Sequence, residues 1–144
     1  MARVEDVAVP LSDGSTLPAA LALAARNADR PGGPAGDDAH PASARPGVIV
    51  IHEAIGLNDD IRHIAERFAD AGYVALAPDF LSGLGAQPFC IARFARGIGK
   101  VGTGRPYRQL AAARDWLAER PEVDAERIGV AGFCMGGGLA LLYA

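Results

Sequence analysis

The spacing of apolar residues changes along the chain, and each change marks an element. Val4 to Val9 alternates weakly, Leu11 to Thr16 contains an Asp13-Gly14 turn, and Leu17 to Ala24 is apolar again. That pattern predicts an N-terminal β-hairpin or meander. Gly47 to His52 is a continuous apolar run rich in β-branched residues, as expected of a strand buried on both faces of a parallel sheet. After it, Ile61, Ile64, Ala65 and Phe68 recur at helical spacing, with Arg62, Glu66, Arg67 and Asp70 off that stripe. Asn58 is the expected cap of this helix, Asp59 and Asp60 suit its positive end, and Gly72 is its expected stop. Tyr73 to Ala77 predicts a second buried strand ended by Pro78. Tyr107 to Arg120 predicts another helix, striped by Leu110, Ala111, Ala113 and Leu117 and ended by Pro121. Arg127 to Ala131 predicts a third buried strand, and Leu139 to Tyr143 a helix-like segment.

Two stretches interrupt the pattern. Residues 27–46 combine prolines and glycines without periodicity and are expected to form a flexible surface loop. Residues 81–105 form a glycine-rich insertion in which Phe89 to Phe94 has the look of a short helix. An insertion after a strand's C-terminal end is a common place for substrate-binding loops, and equally for a solvated excursion. Strands alternating with helices imply parallel strands joined by right-handed crossovers, so the fold class is α/β, with residues 1–144 as a single domain.

Composition narrows the function classes. Half of the residues are hydrophobic, 22% are charged and the net charge is −3, which is ordinary globular composition and gives no reason to expect nucleic acid or a membrane as partner. Two cysteines without framework spacing argue for a reducing compartment. No signal-peptide core and no apolar run near the ~18 residues of a span is found, so a cytoplasmic location is expected.

The candidate chemistry lies at Gly132-Phe133-Cys134-Met135-Gly136-Gly137-Gly138. A strand entering a glycine-flanked turn that opens a helix is the arrangement of a nucleophile elbow. The turn holds the reactive residue in a strained conformation, and a Cβ two residues before or after it would clash. Gly132 and Gly136 stand at those positions around Cys134. The helix opening there points its positive end towards the sulfur, and the Met135 N–H is placed to stabilise an oxyanion. A small buried cysteine filling a tight strand–helix junction would give the same pattern. The second candidate is His52-Glu53-Ala54-Ile55-Gly56, which leaves its strand at the same sheet edge as Cys134. Glu53 is placed to take the thiol proton or hold the thiol in position, and the Ala54 N–H to be the second oxyanion donor. Read alone, Glu53 fits a solvated loop carboxylate better. Arg93, Arg96 and Arg105 lie where no motif fixes a register and stay outside the site.

Together these residues resemble the dienelactone hydrolase family of α/β hydrolases. Val48 to Asn58 looks like its first block, Tyr73 to Phe80 like its next strand with the Pro-Asp turn, and Arg127 to Gly137 like its elbow. The resemblance implies a cofactor-free hydrolase of small-molecule esters or lactones, with Cys134 as nucleophile and Glu53 helping to generate the thiolate. It also implies Ala54 and Met135 as backbone oxyanion donors. The family's Asp and His lie C-terminal to the cysteine, beyond Ala144, so the sequence reads as a partial α/β-hydrolase domain lacking the C-terminal strands and helices. His40, His52 and His63 are no replacement. His52 is expected instead to shape the oxyanion loop. Two further readings stay open at this point, an inactive fragment or interaction module that keeps the fold, and a thiol redox protein pairing Cys134 with Cys90. An incomplete site predicts negligible ester turnover by the chain alone.

Overall fold

The structure is a computed structural model that describes residues 1–24, 44–85 and 88–143. Its elements are β1 (Arg3–Pro10), β2 (Thr16–Leu23), β3 (Arg45–Ile51), α1 (Asp59–Asp70), β4 (Val74–Pro78), α2 (Phe89–Ile98), α3 (Arg105–Ala118), β5 (Val123–Gly132) and α4 (Met135–Tyr143). The strands form one sheet in the order β1-β2-β4-β3-β5. β3 pairs in parallel with β4 and β5, whereas β1–β2 and β2–β4 are antiparallel, so the sheet is mixed. The N-terminal hairpin is what makes it so: its second strand attaches to β4 and adds two antiparallel pairings to the parallel centre.

The continuous apolar runs of β3 and β4 are explained by helices on both sheet faces. On one face Val48, Val50, Ala75, Ala77, Ala20 and Ala22 pack under Ile61, Ala65 and Ala69 of α1. On the other, Ile49, Ile51, Leu76 and Leu21 pack against Phe94 of α2, Leu110, Ala113 and Leu117 of α3 and Leu139 of α4. Alternate side chains of one strand thus serve two cores. Helix α1 begins as expected, with the Asn58 side chain accepting from the Ile61 N–H at 3.0 Å. It ends at Asp70, followed by Gly72 at φ +102°.

Several boundaries differ from the sequence pattern. Of the expected loop 27–46, residues 27–43 lie outside those described, and Arg45 and Pro46 belong to β3. Proline is accommodated because Arg45 and Pro46 pair only with β5, and the register shifts between Pro46 and Gly47. β5 begins at Val123 and lies at the sheet edge, so it is not a third buried strand: Val123 alone is buried and Ile128, Val130 and Ala131 are half-buried. Asp124 pinches an irregularity into it by accepting from the Glu126 N–H and from Arg127 Nε, at 3.0 and 2.6 Å. The insertion 81–105 contains a full helix, α2, whose Phe94 is buried in the core. Helix α4 starts at Met135 rather than Leu139, because packing against β3 outweighs the low helix propensity of three successive glycines. No described helix is long and apolar enough to cross a membrane.

Candidate active site

β3 and β5 run in parallel, so their C-terminal ends deliver the Glu53 loop and the Cys134 turn to one edge of the sheet. The two are joined by backbone. The Phe133 N–H donates to the Ile51 carbonyl at 3.1 Å, extending the β3–β5 pairing through Gly132 into the turn. Gly136 sits directly against the end of β3: a Cβ there would lie 2.5 Å from the Ile51 oxygen and 2.6 Å from the His52 oxygen. Gly132 in turn abuts the Gly136 carbonyl, with the Gly137 nitrogen 2.7 Å from where its Cβ would be. Side chains at either glycine would push the turn off the sheet. The flanking glycines therefore have the steric cause that the spacing suggested.

Between them Cys134 adopts φ +52°, and among the described residues it is the only non-glycine at positive φ. Such backbone costs of order 1–2 kcal/mol for a residue with a Cβ. Cys134 is exposed, which removes the reading of a small buried cysteine filling the junction. It immediately precedes α4, whose first turn is closed by bonds from the Gly137 and Gly138 N–H groups to the Cys134 carbonyl, at 3.0 and 3.3 Å. The Met135 N–H stands at the first helical position, where an intrahelical partner does not exist. The Cys90 side chain lies outside the described set, and with it the pairing of Cys134 with Cys90.

The Glu53 loop is held from beneath by His52. That residue is fully buried, against Phe80 and Phe94, with ring centroids at 5.9 and 6.2 Å. Its Nε2 accepts from the Phe80 N–H at 3.0 Å, so the ring proton sits on Nδ1 and is donated to the Glu53 carbonyl at 2.6 Å. Burial pushes the imidazole below its ordinary pKa, outweighing the opposite pull of the Glu53 carbonyl and the Asp79 carboxylate. The neutral ring is also what the hydrogen bonding requires. Asp79 Oδ1 lies 3.6 Å from Nε2 and accepts from the Leu81 N–H at 3.1 Å. The Glu53 carbonyl additionally accepts from the Gly56 N–H at 3.2 Å, and Gly56 takes φ +88° to close this turn. Glu53 and Ala54 are half-buried and Ile55 is exposed.

Each sequence-predicted site residue thus lies at one of two adjoining junctions: Glu53 and Ala54 just after β3, and Gly132, Cys134, Met135 and Gly136 where β5 passes into α4. What the sequence did not disclose is the link from His52 to Phe80, which ties the end of β4 to the same loop. Its only signal was a histidine placed last in a buried run. His63 is exposed on α1, and His40 lies outside the described residues. The arrangement brings an accessible thiol and a half-buried carboxylate to adjoining turns at one sheet edge. No cluster of metal-ligating side chains occurs among the described residues.

Comparison with known proteins gives consistent results. The family profile described as "Dienelactone hydrolase family" matches residues 35–144. Protein usf of Aquifex pyrophilus is 37% identical over 103 residues, which cover 69% of this chain and 45% of that protein. A protein of Methylorubrum extorquens provisionally named carboxymethylenebutenolidase is 29% identical over 142 residues, 96% of this chain and 43% of that one. Among solved structures, a provisionally named dienelactone hydrolase from Klebsiella pneumoniae superposes with a TM-score of 0.73 at 28% identity, covering 100% of this chain and 55% of its own. The chain spans about half the length of the relatives it matches.

Proposed function

Since the chain belongs to the dienelactone hydrolase family, we propose that its site carries out the acylation half of ester or lactone cleavage, with Cys134 as nucleophile. The observation that supports this most is the exposed, positive-φ Cys134 at the head of α4, flanked by two glycines that have no room for a Cβ. Strain of this kind persists where the surroundings over-determine it, and it clusters at reactive residues.

In this reading Glu53 accepts the thiol proton as substrate enters, and the thiolate sulfur attacks the carbonyl carbon. The carbonyl oxygen becomes an oxyanion that accepts hydrogen bonds from the N–H groups of Ala54 and Met135. Collapse breaks the carbon–oxygen ester bond and leaves an acyl thioester on Cys134, while the leaving alkoxide or enolate takes the proton that Glu53 accepted from the thiol. Water then hydrolyses the thioester. That second step calls for a base beside the thioester. Neither His52, with both ring nitrogens engaged, nor the exposed His63 on α1 is offered for it.

The test is single-turnover acylation of the 144-residue chain with p-nitrophenyl acetate. The expected result is stoichiometric nitrophenolate release, an acetyl group mapped to Cys134 by peptide mass, and slow deacylation. Cys134→Ala should abolish both signals, and Glu53→Gln should slow the release. Acetylation elsewhere, or release unchanged in Cys134→Ala, would overturn the assignment.

A further inference from the structure

The flank formed by α2 and α3 carries a feature the elbow does not use. A cavity of about 550 Å³ opens between the C-terminal half of α2 and the N-terminus of α3, a size suited to a small molecule. Arg93, Arg96, Lys100, Arg105 and Arg108 line it, with glycines and Thr103 completing the wall and no carboxylate among them. In a chain of net charge −3, five cations around one cavity run against the overall sign. Such like charges repel, and the arrangement costs free energy until a counter-charge enters. At Arg105, burial first, then the neighbouring Arg93 and Arg108, hold the guanidinium below its ordinary pKa against the opposite pull of the Asp13 carboxylate.

The walls are fixed by backbone anchors. Tyr107 Oη donates to the Ile98 carbonyl at 2.8 Å, and Arg105 Nη2 to the Ser82 carbonyl at 2.9 Å. Arg108 donates to the Thr103 carbonyl. Gly97 approaches Pro106 so closely that a Cβ would lie 2.7 Å from its Cδ. The first turn of α3 follows Gly104, which supplies no capping side chain.

An independent observation lies on the other side of Arg105 and Arg108. They also line an adjoining cavity of about 360 Å³ under the β1–β2 turn, whose wall includes Gln109 and the carboxylates of Asp13 and Asp115. Gln109 is 2% exposed, and neither Oε1 nor Nε2 has a hydrogen-bond partner among the described residues. Leaving such a group unpaired costs about 1–3 kcal/mol, which a hydroxyl would recover once the Gln109 side chain, closed off from the cavity in this structure, turns towards it.

We propose that the α2–α3 cleft binds a hydroxylated phosphate monoester, its phosphate held by Arg93, Arg96, Lys100 and Arg108 and a hydroxyl reaching Gln109. A single carboxylate would leave most of the five charges unanswered. A dianionic phosphate ester offers three oxygens to the planar forks of several guanidinium groups. The site is separate from the thiol chemistry, since none of its residues belongs to the Cys134 or Glu53 turns.

Isothermal titration calorimetry on the full chain at constant ionic strength tests it, with ribose 5-phosphate, inorganic phosphate and succinate as probes. Saturable one-site binding is expected for ribose 5-phosphate, weaker binding for inorganic phosphate, and none for succinate. The exposed pair Arg93→Gln/Arg96→Gln, which leaves the core untouched, should weaken both phosphate probes by about tenfold or more. Gln109→Leu, checked for folding by circular dichroism, should weaken ribose 5-phosphate alone. Absence of saturable ribose 5-phosphate binding, equal binding of succinate, or unchanged affinity in the arginine variant would overturn the proposal. An unchanged ribose 5-phosphate affinity in Gln109→Leu would overturn the hydroxyl contact.

Discussion

Alanine at Gly136 and alanine at Gly138 should move stability in opposite directions, although the two positions are two residues apart in one helix. At Gly136 the added Cβ would meet the Ile51 oxygen at 2.5 Å and the His52 oxygen at 2.6 Å, whereas ordinary van der Waals contact begins at 3.4 Å. The first turn of α4 must therefore retreat from β3 by roughly 0.9 Å, against backbone atoms that cannot rotate away. Overpacking of this kind costs about 3 kcal/mol, and alanine's helix preference over glycine returns about 1 kcal/mol. The net expectation is a loss of about 2 kcal/mol. At Gly138 nothing lies within 4 Å of the added Cβ and the residue is exposed, so only the helix preference remains and the variant should gain up to about 1 kcal/mol. Urea denaturation followed by far-ultraviolet circular dichroism reads both changes, with the slope of the transition checked for constancy. A Gly136→Ala protein as stable as the parent, or equal shifts at both sites, would refute the close-packed elbow.

Three further outcomes follow from particular contacts. Because burial lowers the His52 pKa in the folded chain, the unfolded chain takes up this proton first as pH falls. The contribution of His52 to stability is therefore complete above its ordinary value near 6.5 and declines below it towards the lowered folded pKa. Urea midpoints between about pH 5 and pH 7.5 should fall on acidification more steeply in the parent than in His52→Gln, and the reverse order would sink the assignment. Asn58→Ala removes the acceptor of the Ile61 N–H and should cost about 1 kcal/mol, a neutral result showing the cap to be dispensable. Cys134→Gly relieves the positive φ of a residue with a Cβ and should stabilise by about 1 kcal/mol while abolishing thiol alkylation at the turn. Destabilisation there would mean that Cys134 is not strained.

Where the sequence spoke clearly, a local rule and the tertiary environment agreed. Asn58, the stripe of Ile61, Ala65 and Ala69, and Gly72 obey helix rules that any packing partner would satisfy. Gly132 and Gly136 were legible because close backbone approach admits one residue type. The misreadings occurred where tertiary packing decided. Glycines 136–138 argue against helix by propensity, yet their helix is pinned to β3 and starts at Met135. Pro46 argues against strand, but it pairs with one neighbour only, at a register irregularity. The apolar run ending at Ala131 looked fully buried, because apolar content shows which residues suit a sheet and not which position in the sheet a strand takes. His52 was legible in part: its place beside Glu53 pointed to the loop it holds, but not to its second partner. Its role depends on the Phe80 N–H, 28 residues away, and no spacing rule encodes that pairing.

The position of His52 explains how residues on separate turns are kept in register. Ile51 and His52, the last residue of β3 and the first after it, receive contacts from each element entering the site. The Ile51 carbonyl accepts from Phe133, and Gly136 rests on the carbonyls of Ile51 and His52. The two nitrogens of the His52 ring hold Phe80 and the Glu53 carbonyl. Each hydrogen bond alone contributes about 1 kcal/mol, too little to hold a strained cysteine against competing conformations. Shared at one buried point they act together, because displacing the end of β3 would break the β4 and β5 connections at once. Relative placement of Glu53, Ala54, Cys134 and Met135 is then set by the β3–β5 register, Ile51 opposite Gly132, rather than by contacts among the four. Substitutions at exposed Ile55 or Phe133 can alter the rim of the site while leaving that register intact. A one-residue slip of β5 against β3 would take Gly136 off the carbonyls it rests on and carry Cys134 away from Glu53.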